Sequence, residues 1–196
     1  MSRKEEEFQQ IRDERREQIL QEATRLFLEK GVASLKIGDL AREAGMSQGL
    51  LYRYFENKEE IMATLVERAK SRVMPLIREA IEQPGTPLER LTSLTERWLQ
   101  LILDDPNRFQ LIQMGLSLPG KAADKAQEIG QFLRESLRAL VVEGQDAGQF
   151  LSGDPGRFVV LYLCTLQGLS SGLSFFGSYT IQNFPDAQAL LRILKK

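Results

Sequence analysis

The sequence predicts an all-α protein of about nine helices. Three observations carry that expectation. Apolar residues recur at three- and four-residue spacing along the chain, no strand-like alternation persists, and glycine or proline interrupts the pattern at helix-length intervals. Ile19, Leu20, Ala23, Leu26 and Phe27 form a first stripe, closed by Gly31 as a C-terminal cap. Ile37, Leu40, Ala41 and Ala44 form a second, closed by Gly45, and Leu50, Leu51 and Phe55 a short third. Asn57 and Glu60 make a capping box for a fourth helix, with Ile61, Leu65 and Ala69 on its inner face.

The fourth pattern stops at Gln83-Pro84-Gly85. Leu88, Leu91, Leu94, Trp98 and Leu101 mark a fifth helix, and Asp105-Pro106 starts a sixth by the cap-then-proline rule. Phe109, Ile112 and Leu116 carry its inner face, and Pro119-Gly120 closes it. Ile129, Phe132, Leu133, Leu137, Leu140 and Val141 define a seventh, ending near Gly148. Asp154-Pro155 opens an eighth, running to about Gly177, and Pro185 a ninth carrying Leu190, Leu191 and Leu194. The expected division is an N-terminal three-helix domain, 1–58, and a larger helical bundle, 59–196, with the helix at about 59–82 connecting them.

Composition narrows the function classes. The 196 residues carry a net charge of -1, so there is no global attraction to nucleic acid or to a membrane. Histidine is absent, which removes the commonest general base and transition-metal ligand, and no metal or cofactor is expected. The one cysteine, Cys164, lies among Leu161, Tyr162, Leu163 and Leu166 and reads as a buried thiol suited to a reducing compartment. The first residues are charged and lack a signal peptide's apolar core, and the longest apolar run, Phe158 to Cys164, is too short to span a bilayer. The expected location is cytoplasmic.

Residues 37–58, IGDLAREAGMSQGLLYRYFENK, hold the chemistry. They read as helix, tight turn, helix: the layout of a helix-turn-helix, whose second helix enters the major groove of duplex DNA. Ala41 is small where the helices touch, Gly45 supplies a left-handed turn residue, and Met46 is the apolar turn residue. Ser47 caps the new helix, whose start also favours a phosphate. The exposed face offers Gln48, Gly49, Leu50, Tyr52 and Arg53; Gln suits adenine edges, Arg suits guanine, and Gly49 allows close backbone approach. Tyr52, Tyr54 and Lys58 are better placed for phosphates. Between residues 30 and 58 basic residues outnumber acidic ones. The bland alternative is a helical hairpin that merely packs.

The chain resembles the N-terminal domain of the TetR family of bacterial transcriptional regulators over about residues 15 to 65. Ile19, Ala23 and Phe27, then Gly31, Ile37, Asp39, Leu40 and Ala41, then Ala44-Gly45-Met46-Ser47 carry the likeness. Its most specific part is Leu51-Tyr52-Arg53-Tyr54-Phe55 with Asn57-Lys58-Glu59. The resemblance implies base reading by Gln48, Gly49, Leu50 and Arg53 and phosphate contacts from Tyr52, Tyr54 and Lys58. It departs at Lys36, where the family often has Thr or Ser as cap and phosphate donor, and at Gly38, often polar or basic. Lys36 could replace the phosphate contact by charge.

One short reading helix gives little specificity, so a homodimer on a palindromic operator is expected. The eighth helix is apolar on more than one face: Val159, Val160, Leu163 and Leu166 cannot share one core. Val160, Gly168, Ser171, Gly172, Leu190 and Leu194 are the candidate interface; the alternative is a helix central to its own subunit. The resemblance points to the same two helices as a four-helix dimer bundle. Trp98, Phe109, Gln110 and Gln113 are candidate pocket residues for a small-molecule effector, with Met114, Tyr162, Thr165 and Gln167. Plain core is the competing reading for each. The resemblance further implies that a bound effector shifts the fourth helix and weakens operator binding. The extension from Ser2 to Glu17 reads as solvated helix; Arg12, Arg15 and Arg16 are secondary candidates for the DNA backbone.

The expected function is a ligand-responsive, DNA-binding repressor without enzymatic activity. The competitors are a DNA-acting enzyme such as a recombinase, for which no nucleophile and clamp group together, and an effector-independent DNA-associated structural protein.

Overall fold

The computed structural model describes residues 3–195, so the start of the charged extension, Ser2, lies outside the described residues. Among them are ten helices rather than about nine: α1 Arg3–Lys30, α2 Ile37–Glu43, α3 Gln48–Leu51, α4 Lys58–Glu82, α5 Pro87–Asp104, α6 Pro106–Leu116, α7 Lys121–Asp146, α8 Pro155–Phe176, α9 Ser178–Gln182 and α10 Ala187–Leu191. The helix not expected is α9, which follows Gly177 at φ 51. The ninth expected helix is α10, only five residues long and capped by Asp186, whose side chain accepts from the Ala189 N–H. Pro75 stands inside α4, where it removes one helical donor.

The chain forms two compact units. The first comprises the chain through Ala69 together with Gln110–Ala126; the second comprises Lys70–Phe109 and the chain from Gln127 onward. The division between the units falls inside α4, after Ala69.

In the first unit, Ile19, Ala23, Leu26 and Phe27 of α1 are buried with Leu40, Ala41, Leu51 and Phe55. Gly31 (φ 76) and Gly45 (φ 66) are the left-handed turn residues that the pattern requires. Packing is tight at Gly115, where an added Cβ would stand 2.7 Å from Val66 Cγ2. The Asn57 side chain accepts from the Glu60 N–H at 2.8 Å, while the Glu60 carboxylate takes the Glu56 N–H instead of closing a reciprocal box.

In the second unit, α5 starts with a full capping box between Thr86 and Glu89. Its inner face, Leu91, Leu94, Thr95, Trp98 and Ile102, is buried. Leu133, Leu137 and Val141 of α7 and Val159, Tyr162 and Leu166 of α8 complete the core. Phe150 packs where a side chain on Gly144 would stand. Ala187 and Leu191 of α10 are buried, and Leu151 N–H bonds the Leu194 carbonyl at 2.9 Å.

Candidate DNA-reading surface and effector core

The α2–α3 turn is built by backbone bonds. Gly45 N–H donates to Arg42 O, and Met46 N–H to Ala41 O at 2.9 Å, folding the chain back by one turn. Ser47 then caps α3, its hydroxyl accepting from the Leu50 N–H at 3.2 Å. With Leu51 and Phe55 fully buried, helical spacing forces the intervening residues outward. Ser47, Gln48, Gly49, Tyr52 and Arg53 are exposed, Leu50 and Tyr54 half-buried. Nothing lies within 4 Å of where a Gly49 Cβ would be. Among the described residues no ion pair engages Arg53, whereas Arg42 is held by Asp39 at 2.8 Å.

Gly38 has a physical reason. A Cβ there would meet Gln48 Oε1 at 3.3 Å, so the missing side chain leaves room for the Gln48 amide, whose Nε2 approaches Tyr52 Oη at 3.4 Å. Lys36 is exposed at the N-terminus of α2 and makes no side-chain cap bond.

Lys58 makes two backbone contacts that the sequence does not announce. Its Nζ donates to the carbonyls of Ala33 at 2.8 Å and Leu35 at 3.0 Å, so two of three N–H groups tie down the loop before α2. Its first task is to fix that loop, and only one donor is left for a phosphate. Arg16 likewise lies over the Phe55 ring at 4.8 Å and is half-buried, while Arg12 and Arg15 are exposed, Arg15 donating to Gln18 at 2.8 Å. Sequence patterns carry no sign of the α1–α2 braces: Gln18 Nε2 to Ala44 O at 3.0 Å, and Arg25 to Glu43 at 2.9 Å.

The eight candidate pocket residues are drawn from both units. Gln110, Gln113 and Met114 belong to the first unit and the other five to the second. Within the second unit Trp98 and Phe109 are buried and stack at 5.3 Å. Tyr162 is buried against Thr95, oxygen to oxygen 2.9 Å; Thr95 already donates to Leu91 O at 2.6 Å, so Tyr162 is the donor. Burial pushes the Tyr162 hydroxyl above the usual phenol range, against a smaller opposing effect of the Thr95 bond. Thr165 is half-buried and bonds back to Leu161 O, and Gln167 approaches Ser171. Thr95 and the buried Arg108 are absent from the candidates, since a mid-helix Thr or Arg carries no sequence signal of burial.

The candidate dimer face also divides. Val160 is 60% exposed and Gly168 is open, while Ser171 and Leu190 are half-buried. Leu194 is corrected: it follows α10, is 1% exposed and belongs to its own core, its carbonyl accepting from the Leu151 N–H. Gly172 is corrected as well, being buried beneath Thr180, whose hydroxyl donates to its carbonyl at 3.0 Å. Cys164 is exposed rather than buried, on the outward stripe of α8 between Leu161 and Gly168. That stripe continues into Phe175, Phe176, Tyr179 and Ile181, all mostly exposed.

A capped short helix, turned out from a closed three-helix core by a glycine, defines the class: a helix-turn-helix protein. The sequence profile described as "Bacterial regulatory proteins, tetR family" matches residues 19–65 of this chain. The fatty acid metabolism regulator protein of Bacillus subtilis (strain 168) is 27% identical over 139 residues, 69% of this chain and 71% of that protein. Other curated regulators are matched over 60% of their own length. Among solved structures, the TetR family regulator PfmR from Thermus thermophilus is 28% identical, with a TM-score of 0.69 over 78% of this chain and 84% of that one. AibR, solved with isovaleryl coenzyme A and operator DNA, shares the fold at 16% identity and a TM-score of 0.68, over 81% and 85% of the two chains. Among the described residues no helix is long and apolar enough to cross a membrane.

Proposed function

We propose that this chain is a dimeric, ligand-responsive transcriptional regulator, a cytoplasmic repressor that binds a palindromic operator and is released by a small molecule. Residues 1–58 read DNA, and residues 59–196 bind effector and pair the protomers. One observation carries the reading: α3 is anchored by Leu51 and Phe55 while Gln48, Gly49, Tyr52 and Arg53 stand in solvent. In this arrangement Gln48 and Arg53 meet base edges, with Gly49 and Leu50 against the groove floor. Lys36, Tyr52, Tyr54 and the capped start at Ser47 hold phosphates.

Two copies place their reading helices one DNA turn apart, ~34–36 Å, or a multiple of it. The exposed stripe of Val160, Leu161, Cys164 and Gly168 on α8 supports pairing there, since an isolated protein seldom leaves such a continuous apolar face in water. AibR supports both partners by bearing an acyl-coenzyme A and operator DNA. Release by an effector needs a coupling of only ~1–3 kcal/mol between the sites.

Selection from a random duplex library tests the proposal. The expected product is an inverted repeat bound by two copies of the chain. A selection that enriches no sequence would overturn it.

A further inference from the structure

Gly38 is the second residue of α2, inside the helix and without a left-handed φ, so no turn requires a glycine there. A helical glycine costs stability relative to alanine, because the unfolded chain keeps more freedom. What the missing side chain provides is space on one side. An added Cβ would stand 3.3 Å from Gln48 Oε1 and 3.9 Å from Gln48 Cδ. Chain neighbours aside, Gln48 is the one residue among those described that it would meet within 4 Å. Gly38 is half-buried and Gln48 is exposed, so this space belongs to the reading surface and not to the core.

The other end of the same amide is also held. Gln48 Nε2 donates to Tyr52 Oη at 3.4 Å, four residues on and along the same helical face. The Gln48 carbonyl thus lies against Gly38 and its amino group against Tyr52. A primary amide carries two N–H donors and one carbonyl acceptor. With one donor given to Tyr52, one N–H and the carbonyl are left, the pair that an adenine edge takes in the major groove. A freely turning amide offers donor and acceptor in either order and discriminates less between bases. One held at both ends has that order set before contact. The Tyr52 hydroxyl keeps its own hydrogen for a phosphate, so a backbone contact and the orientation of the reading amide meet in one residue.

We propose that Gly38 is a positioning residue for base recognition: the space it leaves in α2, together with Tyr52, sets the Gln48 amide in one orientation and so determines the base preferred at that position. This rests on the DNA-reading function proposed above and adds a specificity determinant outside the reading helix.

The test measures melting temperature, affinity for random DNA, and affinity for the selected duplex and its single-base variants. Gln48→Ala is expected to reduce the preference at one position of each half-site by at least about five-fold. Gly38→Ala should reduce the preference at that same position by at least about two-fold, with random-DNA affinity unchanged and the melting temperature level or raised. In the Gln48→Ala background Gly38→Ala should change no preference further, because the side chain it acts through is gone. Tyr52→Phe should add a loss at the same position to a uniform loss on all duplexes; a purely uniform loss overturns the Tyr52 half of the proposal. The positioning role is overturned if Gly38→Ala keeps the preference, or if its effect persists in the Gln48→Ala background. A lowered melting temperature with an even loss on every duplex would make Gly38 merely structural. A preference lost in Gln48→Ala but not in Gly38→Ala strikes the positioning role alone. Absence of any selected duplex refutes the regulator reading on which it stands.

Discussion

The α2–α3 face of the first unit and the α5–α8 core of the second handle polar groups in opposite ways. On the reading face, Gln48, Tyr52 and Arg53 stand in water, and the backbone beneath them is fixed by Ser47, Gly45 and Lys58. In the α5–α8 core, Thr95 and Tyr162 satisfy each other out of water. Exposed groups on a rigid frame are free to exchange hydration for base edges at little reorganisation. Buried groups set the shape of an interior, and their partners are chosen before any ligand arrives. The difference teaches that the exposed groups of the α2–α3 face depend on what holds α3, while the buried groups of the α5–α8 core are matched to one another in place.

The largest effect should come from removing the frame. Phe55→Ala takes away a ring that is 1% exposed and lies under Arg16, and should cost ~3–5 kcal/mol in chemical denaturation. A loss below about 1 kcal/mol would mean that α3 is not held by its core. Next is Lys58→Met, which leaves the Ala33 and Leu35 carbonyls without their charged donor and should cost about 1.5–3 kcal/mol of stability. It should weaken binding to all duplexes yet leave the salt slope unchanged, whereas Lys36→Met should reduce that slope by ~1. A slope that drops in Lys58→Met would return this residue to the phosphate contacts.

In the second unit Tyr162→Phe removes one buried bond while Thr95 still donates to Leu91, so the expected loss is about 1 kcal/mol, with duplex affinity unaltered. A changed duplex affinity would show that the two regions are not separable in this way. The smallest effect concerns Glu89. The Thr86 backbone N–H, then its hydroxyl, holds this exposed carboxyl below the usual glutamate value. A lowered folded-state pKa contributes stability that is full above the unfolded value of about 4.3 and is lost as pH falls through the folded one. Glu89→Gln should therefore flatten the acid limb of the stability profile slightly and leave neutral pH nearly untouched; an unchanged acid limb would remove the cap from the account.

The all-α class, most helix limits and the helix-turn-helix are legible in the sequence because they rest on local rules. Gly31, Gly45 and Ser47 declare their backbone geometry within a few residues. Thr86 and Glu89 obey the same rule, although the apolar pattern alone begins the fifth helix only at Leu88. Leu194 and Cys164 depart from expectation because burial of a side chain is decided by elements far away in sequence, and the Lys58 contacts are set at a distance in the same way. Lys58 meets carbonyls more than twenty residues earlier, and Leu194 is buried after a helix shorter than its pattern suggests. Arg108 is invisible in the sequence for the same reason, an arginine on a helix being ordinarily a surface residue.

The central claim is that α3 reads bases, and Arg53 is its most exposed test. The measurement is the affinity of the parent chain and of Arg53→Ala for every single-base variant of the selected duplex. The account predicts that Arg53→Ala loses ~1–3 kcal/mol on the parent duplex and its preference at one position of each half-site, with affinity for random DNA nearly preserved. An Arg53→Ala profile that keeps every base preference of the parent chain would contradict it.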